Sequence, residues 1–125
     1  MPSLNQERYL KELTELLELA YPALRRKHQL TFKNCFGAVA GFMNGQIFIS
    51  CGRFGIALRL PPSILSDLFK DPSVRHLKYF PNGHVKKEYA VLPAHILGDD
   101  SRLKYLLDLS AEYALSRSLS RSRTP

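Results

Sequence analysis

Apolar positions in the first part of the chain recur with the period of a helix. They lie three and four residues apart, at Leu10, Leu13, Leu17, Ala20 and Leu24, with mostly polar residues between them. This spacing predicts one apolar stripe along an amphipathic helix. Ser3 and Gln6 have the spacing of a capping box, which predicts where the helix begins. Pro22 removes one amide and crowds the preceding turn, so we expect a bend or a restart near Tyr21.

The stretch from Cys35 to Leu60 has the alternation of β-strands instead. It predicts three antiparallel strands, roughly at 36–43, 46–51 and 55–60. Asn44 and Gly45 lie between the first two, and both residues tolerate the positive φ that a two-residue hairpin turn requires. With this turn, Cys51 is expected opposite Ala38.

That register divides the side chains between two faces of the predicted sheet. The expected core face carries Phe36, Ala38, Ala40, Phe42, Ile47, Ile49 and Cys51. The expected outer face carries Val39, Met43 and Phe48 beside Gly37 and Gly41, and Arg59 also points outward. Because Cys35 and Cys51 then fall on opposite faces, we expect two reduced, unpaired cysteines.

The second half of the chain predicts a short helix, a second hairpin and a last helix. The short helix covers about 64–69, and strands at 76–80 and 86–92 flank a turn that contains Pro81 and Gly83. Asp99 is placed to cap the last helix, whose apolar period fails after about Leu115.

Together these elements predict an α+β domain over residues 1–116. The expected arrangement is a two-layer α-β(3)-α-β(2)-α fold, with helices on one face of a five-stranded antiparallel sheet. Residues 117–125 are rich in Ser and Arg and are expected to form a flexible basic tail.

The charge is concentrated in the middle of the chain. The net charge is +7, and residues 21–88 carry eleven Lys and Arg against Asp67, Asp71 and Glu88. A basic segment of this kind attracts nucleic acid or acidic protein surfaces, but it is also typical of an ordinary solvated surface. No apolar run is long enough to cross a membrane and the start has no secretory pattern, so we expect a cytoplasmic protein without a membrane partner.

The sequence offers no set of residues that a reaction requires. Its glycines do not precede a helix as in a phosphate-binding loop, and no serine has the context of a hydrolase nucleophile. The four histidines are scattered without cysteines or carboxylates at metal-binding spacing. We therefore predict a protein that is not an enzyme, without cofactor, metal or small-molecule substrate.

Several short motifs resemble a known family in their order and spacing. They are Phe36-Gly37, Asn44-Gly45-Gln46-Ile47-Phe48, Leu58-Arg59-Leu60, the segment from Tyr89 to Pro93, and Asp99-Asp100 before the Leu- and Ala-rich last helix. From about Cys35 to Ala114 the chain resembles the amino-terminal domain of TfoX, also called Sxy, a regulator of bacterial competence. Where that family commonly has Met-Phe-Gly-Gly, this chain has Cys35-Phe36-Gly37-Ala38.

The resemblance implies a standalone version of that domain, with a fold related to secretion chaperones and a link to transcription or competence. It implies no particular activity. Full-length regulators of the family also carry a carboxyl-terminal helical domain, and this chain ends before one begins.

Two non-enzymatic functions follow from the expected outer face. Val39, Met43 and Phe48 form a candidate interface for a protein partner or a homodimer, because helices on the other side cannot cover them. Alternatively, aromatic and basic side chains form a platform for single-stranded nucleic acid. Its candidate contacts are Phe48, Arg59, Lys78, Lys86 and Lys87, with Phe80 as a further aromatic.

Overall fold

The computed structural model describes residues 4–24 and 29–122, with side chains as far as residue 117. Its helices are α1 Leu4–Ala20, α2 Pro62–Leu68, α3 Ala94–Leu97 and α4 Asp100–Ser122. Its strands are β1 Leu30–Cys35, β2 Ala38–Met43, β3 Gln46–Gly52, β4 Gly55–Arg59, β5 Arg75–Leu77 and β6 Lys86–Val91. All neighbouring strands are antiparallel, in the order β1-β2-β3-β4-β6-β5. The predicted α+β class with an antiparallel sheet is therefore confirmed.

The sheet has six described strands, so the prediction of five was wrong. The missed strand is β1, whose Leu30 and Phe32 alternate with the polar Thr31 and Lys33. It pairs with β2 from Leu30 opposite Met43 to Cys35 opposite Ala38. Only six residues long and at the edge of the sheet, it gives a weak pattern beside the more apolar β2.

The β1–β2 connection is a two-residue turn made by Phe36 and Gly37. Their φ angles are 49° and 81°, nearly the same as those of Asn44 and Gly45, at 50° and 83°, in the predicted turn between β2 and β3. Both connections are thus hairpins with two positive-φ residues. The prediction that Phe36 belongs to a strand and faces the core was wrong, because the side chain is 64% exposed.

A β-bulge between Gly41 and Phe42 changes which side chains of β2 and β3 share a face. Phe42 pairs with Ile47 as expected, but Gly41 then pairs with Ile49, which leaves Phe48 as the extra residue on β3. Beyond the bulge the register is shifted by one residue, and Cys51 lies opposite Val39 instead of Ala38. A shift of one residue moves every following side chain to the other face.

The candidate protein interface predicted from the sequence is therefore buried. Val39, Met43 and Phe48 are at most 2% exposed, and they pack in the main core together with helices α1 and α4. The core side of the sheet also carries Ile49 and Cys51, and a Cβ on Gly41 would point among them. The prediction that this face is free for a partner was wrong, because helices α1 and α4 pack on it.

The helix ends agree with the sequence in part. Helix α1 ends at Ala20, before Pro22 as expected, and the Asp99 carboxylate accepts the Arg102 amide at the start of α4, at 3.2 Å. Helix α4 continues to Ser122, beyond the predicted end near Leu115. The predicted capping residue Ser3 and residues 25–28 and 123–125 lie outside the described residues.

The centre of the second face of the sheet is also buried. It consists of small residues, since the register aligns Ala40, Ser50 and Ala57 across three strands. These three side chains are fully buried. The cover includes a smaller apolar cluster, in which Tyr79 from the segment after β5 and Phe54 pack near Ala57. Within the described residues, no helix is long and apolar enough to span a bilayer.

Candidate binding site: an aromatic groove

Three connections bring aromatic side chains together at one end of the sheet. The β1–β2 turn contributes Phe36, the β3–β4 turn contributes Phe54, and the segment after β5 contributes Tyr79 and Phe80. Together they line a half-open cavity of about 590 Å³, which also contacts Asn5 and Tyr9 of α1 and the basic residues Arg53 and Lys78. We call this cavity the aromatic groove.

The rings of the groove are in contact with one another at steep angles. Phe36 lies 5.5 Å from Tyr79 and 5.8 Å from Phe80, with interplanar angles of 58° and 68°. Phe54 meets Tyr79 at 5.6 Å and 89°. Edge-to-face contacts of this kind stabilise an aromatic cluster, and they give the groove angled walls.

Phe36 is held in an unfavourable backbone conformation and is still exposed. Its φ of 49° is one that bulky residues rarely adopt, and Asn or Gly is the usual residue at this position of the turn. Backbone strain of this kind is concentrated at functional sites. Because Phe36 is 64% exposed, burial of the ring does not account for a phenylalanine at this position.

Phe54 is positioned by two contacts of the β3–β4 turn. Its ring fills the space beside Gly52, where a Cβ would come within 2.7 Å of the ring and 2.9 Å of the Ala38 side chain. Its carbonyl accepts a hydrogen bond of 2.9 Å from the Arg75 guanidinium of β5. The glycine and the arginine therefore fix this wall of the groove.

The groove is electropositive. Arg53 and Lys78 line it, and the Lys86 ammonium lies 6.0 Å from the centre of the Tyr79 ring. No acidic side chain lines the groove among the described residues. Together with Arg75 behind Phe54, these residues give the site four positive charges.

The Tyr79 phenol lies above the small-residue centre of the sheet. Burial raises its pKa, and the nearby Ser50 hydroxyl and Cys35 thiol also act on it. Among the described residues, the fully buried Ser50 hydroxyl has no hydrogen-bond partner, so Tyr79 and Ser50 approach each other without hydrogen-bond geometry. The unsatisfied Ser50 hydroxyl thus lies buried near the Tyr79 phenol, and Ser50 does not itself line the groove.

The candidate nucleic-acid contacts predicted from the sequence do not form one surface. Phe48 lies in the core, so its assignment as a stacking residue was wrong. Lys78, Lys86 and Lys87 are exposed, and Lys78 lines the aromatic groove. Phe80, the further aromatic of that prediction, is 55% exposed and does lie in the groove.

Arg59 is not available as an outward contact, and that prediction was also wrong. Its side chain is 10% exposed and donates to the Glu88 carboxylate at 2.6 Å. The guanidinium also lies 5.6 Å from the centre of the Tyr113 ring of α4 and 3.4 Å from the Ile47 carbonyl oxygen. Arg59 therefore joins the end of the sheet to the last helix.

The two cysteines are unpaired, as predicted. Cys51 is fully buried, and its thiol donates to the Glu12 carboxylate of α1 at 3.2 Å. Burial, the hydrogen bond and the negative charge of Glu12 raise the pKa of Cys51 to about 12. This thiol is therefore protonated at neutral pH and poorly suited to act as a nucleophile.

Within the part of the chain that the structure describes, no group of three or more His, Cys, Asp or Glu side chains is placed to hold a metal ion. His95 instead binds Asp71 at 2.9 Å. Hydrogen bonds from the side chain and the amide of Ser73, with a further contribution from His95, lower the pKa of Asp71.

The sequence pattern does not indicate the groove, because it predicts that Phe36 belongs to a strand and faces the core. One signal was present in the sequence: Phe36-Gly37 follows a short alternating segment, as Asn44-Gly45 follows a longer one. Since the first residue of such a turn needs a positive φ, a phenylalanine there does not match the usual turn chemistry. The contributions of Phe54 and Tyr79 depend on tertiary structure and have no local signal.

Comparison of the sequence with protein-family models and with curated proteins gives no match.

Proposed function

We propose that this protein is a non-enzymatic protein-interaction module and that the aromatic groove is its binding site. The observation that carries the proposal is the pair of exposed phenylalanines, Phe36 and Phe80, at 64% and 55% exposure and in contact with each other. Aromatic side chains at the centre of a depression are the residues that dominate the energetics of protein interfaces.

The arrangement of the rings favours a protein partner over a nucleic acid. Bases stack on the open, flat faces of aromatic side chains. In the groove, the faces of Phe36, Phe80 and Tyr79 are turned toward one another's edges, at 58° and 68°. Angled walls suit an inserted apolar side chain better than a stack of bases.

Single-stranded nucleic acid is the second candidate partner. It is supported by the exposed Lys78, Lys86 and Lys87, which lie in or close to the groove, and by the net charge of +7. This alternative no longer includes Phe48 and Arg59, which are buried.

The resemblance to the amino-terminal domain of TfoX extends the proposal to regulation. On that basis the protein is a bacterial module of the same α+β type, acting in the cytoplasm on transcription or competence. The resemblance alone supports this part of the proposal.

A phage-displayed library of random short peptides tests the groove as a protein-binding site. Selection on the wild-type protein should yield peptides whose binding is lost in the Phe36→Ala/Phe80→Ala variant. The matched control is Leu19→Ala/Tyr105→Ala, which removes two other exposed apolar side chains, at 87% and 59% exposure. Peptides that bind the wild type and both variants equally would contradict the proposal.

A salt series separates the two candidate partners. An oligothymidine or oligouridine strand held by several lysines should lose affinity steeply between roughly 50 and 200 mM salt. A peptide held mainly by apolar contacts should lose much less. Salt-sensitive binding of the oligonucleotide that depends on Lys78, Lys86 and Lys87, without any groove-dependent peptide, would favour the second candidate.

A further inference from the structure

We propose that the groove recognises an acidic, extended segment of a partner protein, which packs a large apolar side chain against the exposed rings of Phe36 and Phe80. The inference rests on the proposed function and specifies the chemistry of the partner. It combines the charge around the groove, the shape of the groove and the fixed position of its aromatic walls.

Positive charge surrounds the aromatic walls. Arg53 and Lys78 lie on the two sides of the groove that come from the β3–β4 turn and from the segment after β5. Lys86 lies above the Tyr79 ring. Since no acidic side chain lines the groove among the described residues, these cations attract carboxylates of a partner that flank the inserted side chain.

The same charges argue against a second copy of this chain as the partner. A two-fold symmetric contact places a surface patch against its own copy, so Arg53 and Lys78 of one molecule would meet the same residues of the other. With a net charge of +7, the whole chain also repels a copy of itself.

The dimensions of the groove fit a chain segment larger than a single side chain. Its volume of about 590 Å³ lies within the roughly 300–1,000 Å³ of ordinary ligand pockets. Gly37 and Ala38 line the groove next to Phe36, and there is open space around the α-carbon of Gly37. A backbone can therefore pass beside the turn while one of its side chains packs against the aromatic walls.

The aromatic walls are held in place before binding. The two-residue turn fixes the backbone of Phe36, and Gly52 and Arg75 fix Phe54. Preformed walls reduce the conformational entropy that binding must remove, which favours a site that reads a short segment.

Three synthetic peptides test the charge preference directly. Each has a central Leu-Trp pair, and the flanking residues are Asp and Glu in the first, Ser and Gly in the second, and Lys in the third. Fluorescence anisotropy with the full chain should show binding of the acidic peptide at least tenfold tighter than that of the Ser/Gly peptide. The Lys peptide should bind most weakly.

Charge reversal in the protein provides the matched comparison. Arg53→Glu/Lys78→Glu should remove the preference for the acidic peptide and favour the Lys peptide, because it reverses the sign of the charge beside the groove. Lys70→Glu/Lys104→Glu makes the same change in net charge away from the groove and should keep the preference. Circular dichroism of both variants checks that they are folded.

The outcomes separate this inference from the proposed function. Peptides that need Phe36 and Phe80 but bind equally well with neutral and acidic flanks would overturn the inference and leave the proposed function standing. An acidic preference that is unchanged in Arg53→Glu/Lys78→Glu would also overturn it. Absence of any peptide whose binding depends on Phe36 and Phe80 would overturn both.

Discussion

Gly41 of β2 lies directly opposite Ile49 of β3, and a Cβ on Gly41 would come within 2.7 Å of the Ile49 side chain. The same Cβ would lie 3.3 Å from the rings of Phe32 and Phe48. The missing side chain thus makes room for the bulge, which turns both Phe48 and Ile49 into the core.

Gly41→Ala should therefore lower the free energy of unfolding by about 1–3 kcal/mol, the usual cost of overpacking a core. Urea denaturation followed by circular dichroism measures this change. The control is Gly98→Ala, because Gly98 has an ordinary helical backbone and ends α3 at the surface. Equal effects of the two substitutions would show that the space at Gly41 is not required.

Two fully buried serines should respond to alanine in opposite directions. The Ser110 hydroxyl of α4 lies 2.7 Å from the carbonyl oxygens of both Phe48 and Arg59, and it can donate its single proton to either of them. Ser110→Ala leaves these buried carbonyls without that donor, so we expect a loss of about 1–3 kcal/mol in the free energy of unfolding. Ser116→Ala, at an exposed position of the same helix, should have little effect.

Ser50→Ala should leave the free energy of unfolding unchanged or raise it by about 1 kcal/mol, because the buried Ser50 hydroxyl has no hydrogen-bond partner in the described part of the chain. When both variants are measured in the same denaturation assay, the free energy of unfolding should be clearly lower for Ser110→Ala than for Ser50→Ala. A clear loss of stability in Ser50→Ala would instead indicate that Ser50 and Tyr79 form a hydrogen bond in solution.

The Cys51 thiol should make the stability of the protein sensitive to alkaline pH. Its pKa is raised from 9.0 to about 12 in the folded state, so the folded protein holds a proton that the unfolded chain releases. The resulting stabilisation is fully present below about pH 9 and is lost as the pH rises toward 12. The difference in unfolding free energy between wild type and Cys51→Ala should shrink across this range.

Glu12→Gln provides the control for Cys51. It removes the negative charge but keeps an acceptor for the thiol, and it should move the pKa of Cys51 toward its ordinary value.

Near neutral pH a thiol reagent should label the partly exposed Cys35 first and the buried Cys51 only on unfolding. Equal labelling rates of Cys35 and Cys51 in the folded protein would contradict the burial of the Cys51 thiol.

The elements of the fold follow from local sequence, whereas the faces of the sheet depend on one bulge. Asn44-Gly45 and Pro22 each act on a few neighbouring residues, so the turn and the end of α1 could be predicted. The bulge beside Gly41 depends on packing between Phe48, Ile49 and Phe32, which are brought together only by the sheet. Strict alternation without the bulge therefore assigned the predicted interface to the wrong face of the sheet.

The groove could not be derived from the sequence for a related reason. Phe36, Phe54 and Tyr79 belong to three separate connections, and they meet because β1 to β4 and β5 end near one another. Of these three connections, only the Phe36-Gly37 turn has a signal in the local sequence. This signal can be recognised only when β1 has been identified as a strand. A short edge strand with a polar alternate face has too little apolar character to be distinguished from a loop.

Phe36→Asn should separate binding from stability. Asparagine is favoured at the first residue of this turn, as at Asn44, and it relieves a left-handed backbone that costs roughly 1–2 kcal/mol for an ordinary residue. Because the substitution also removes exposed ring contacts with Tyr79 and Phe80, we expect the free energy of unfolding to be unchanged or slightly raised. Peptide binding in the groove should be lost, as measured by anisotropy.

Phe48→Ala is the matched control, because it removes a phenylalanine of the core. It should lower the free energy of unfolding by about 3–5 kcal/mol. If Phe36→Asn destabilised the protein as much as Phe48→Ala, Phe36 would be a structural residue, and its exposure would carry no argument for binding. A stable Phe36→Asn variant that no longer binds peptide would show that the strained turn is retained for recognition, since the fold alone is better served by asparagine.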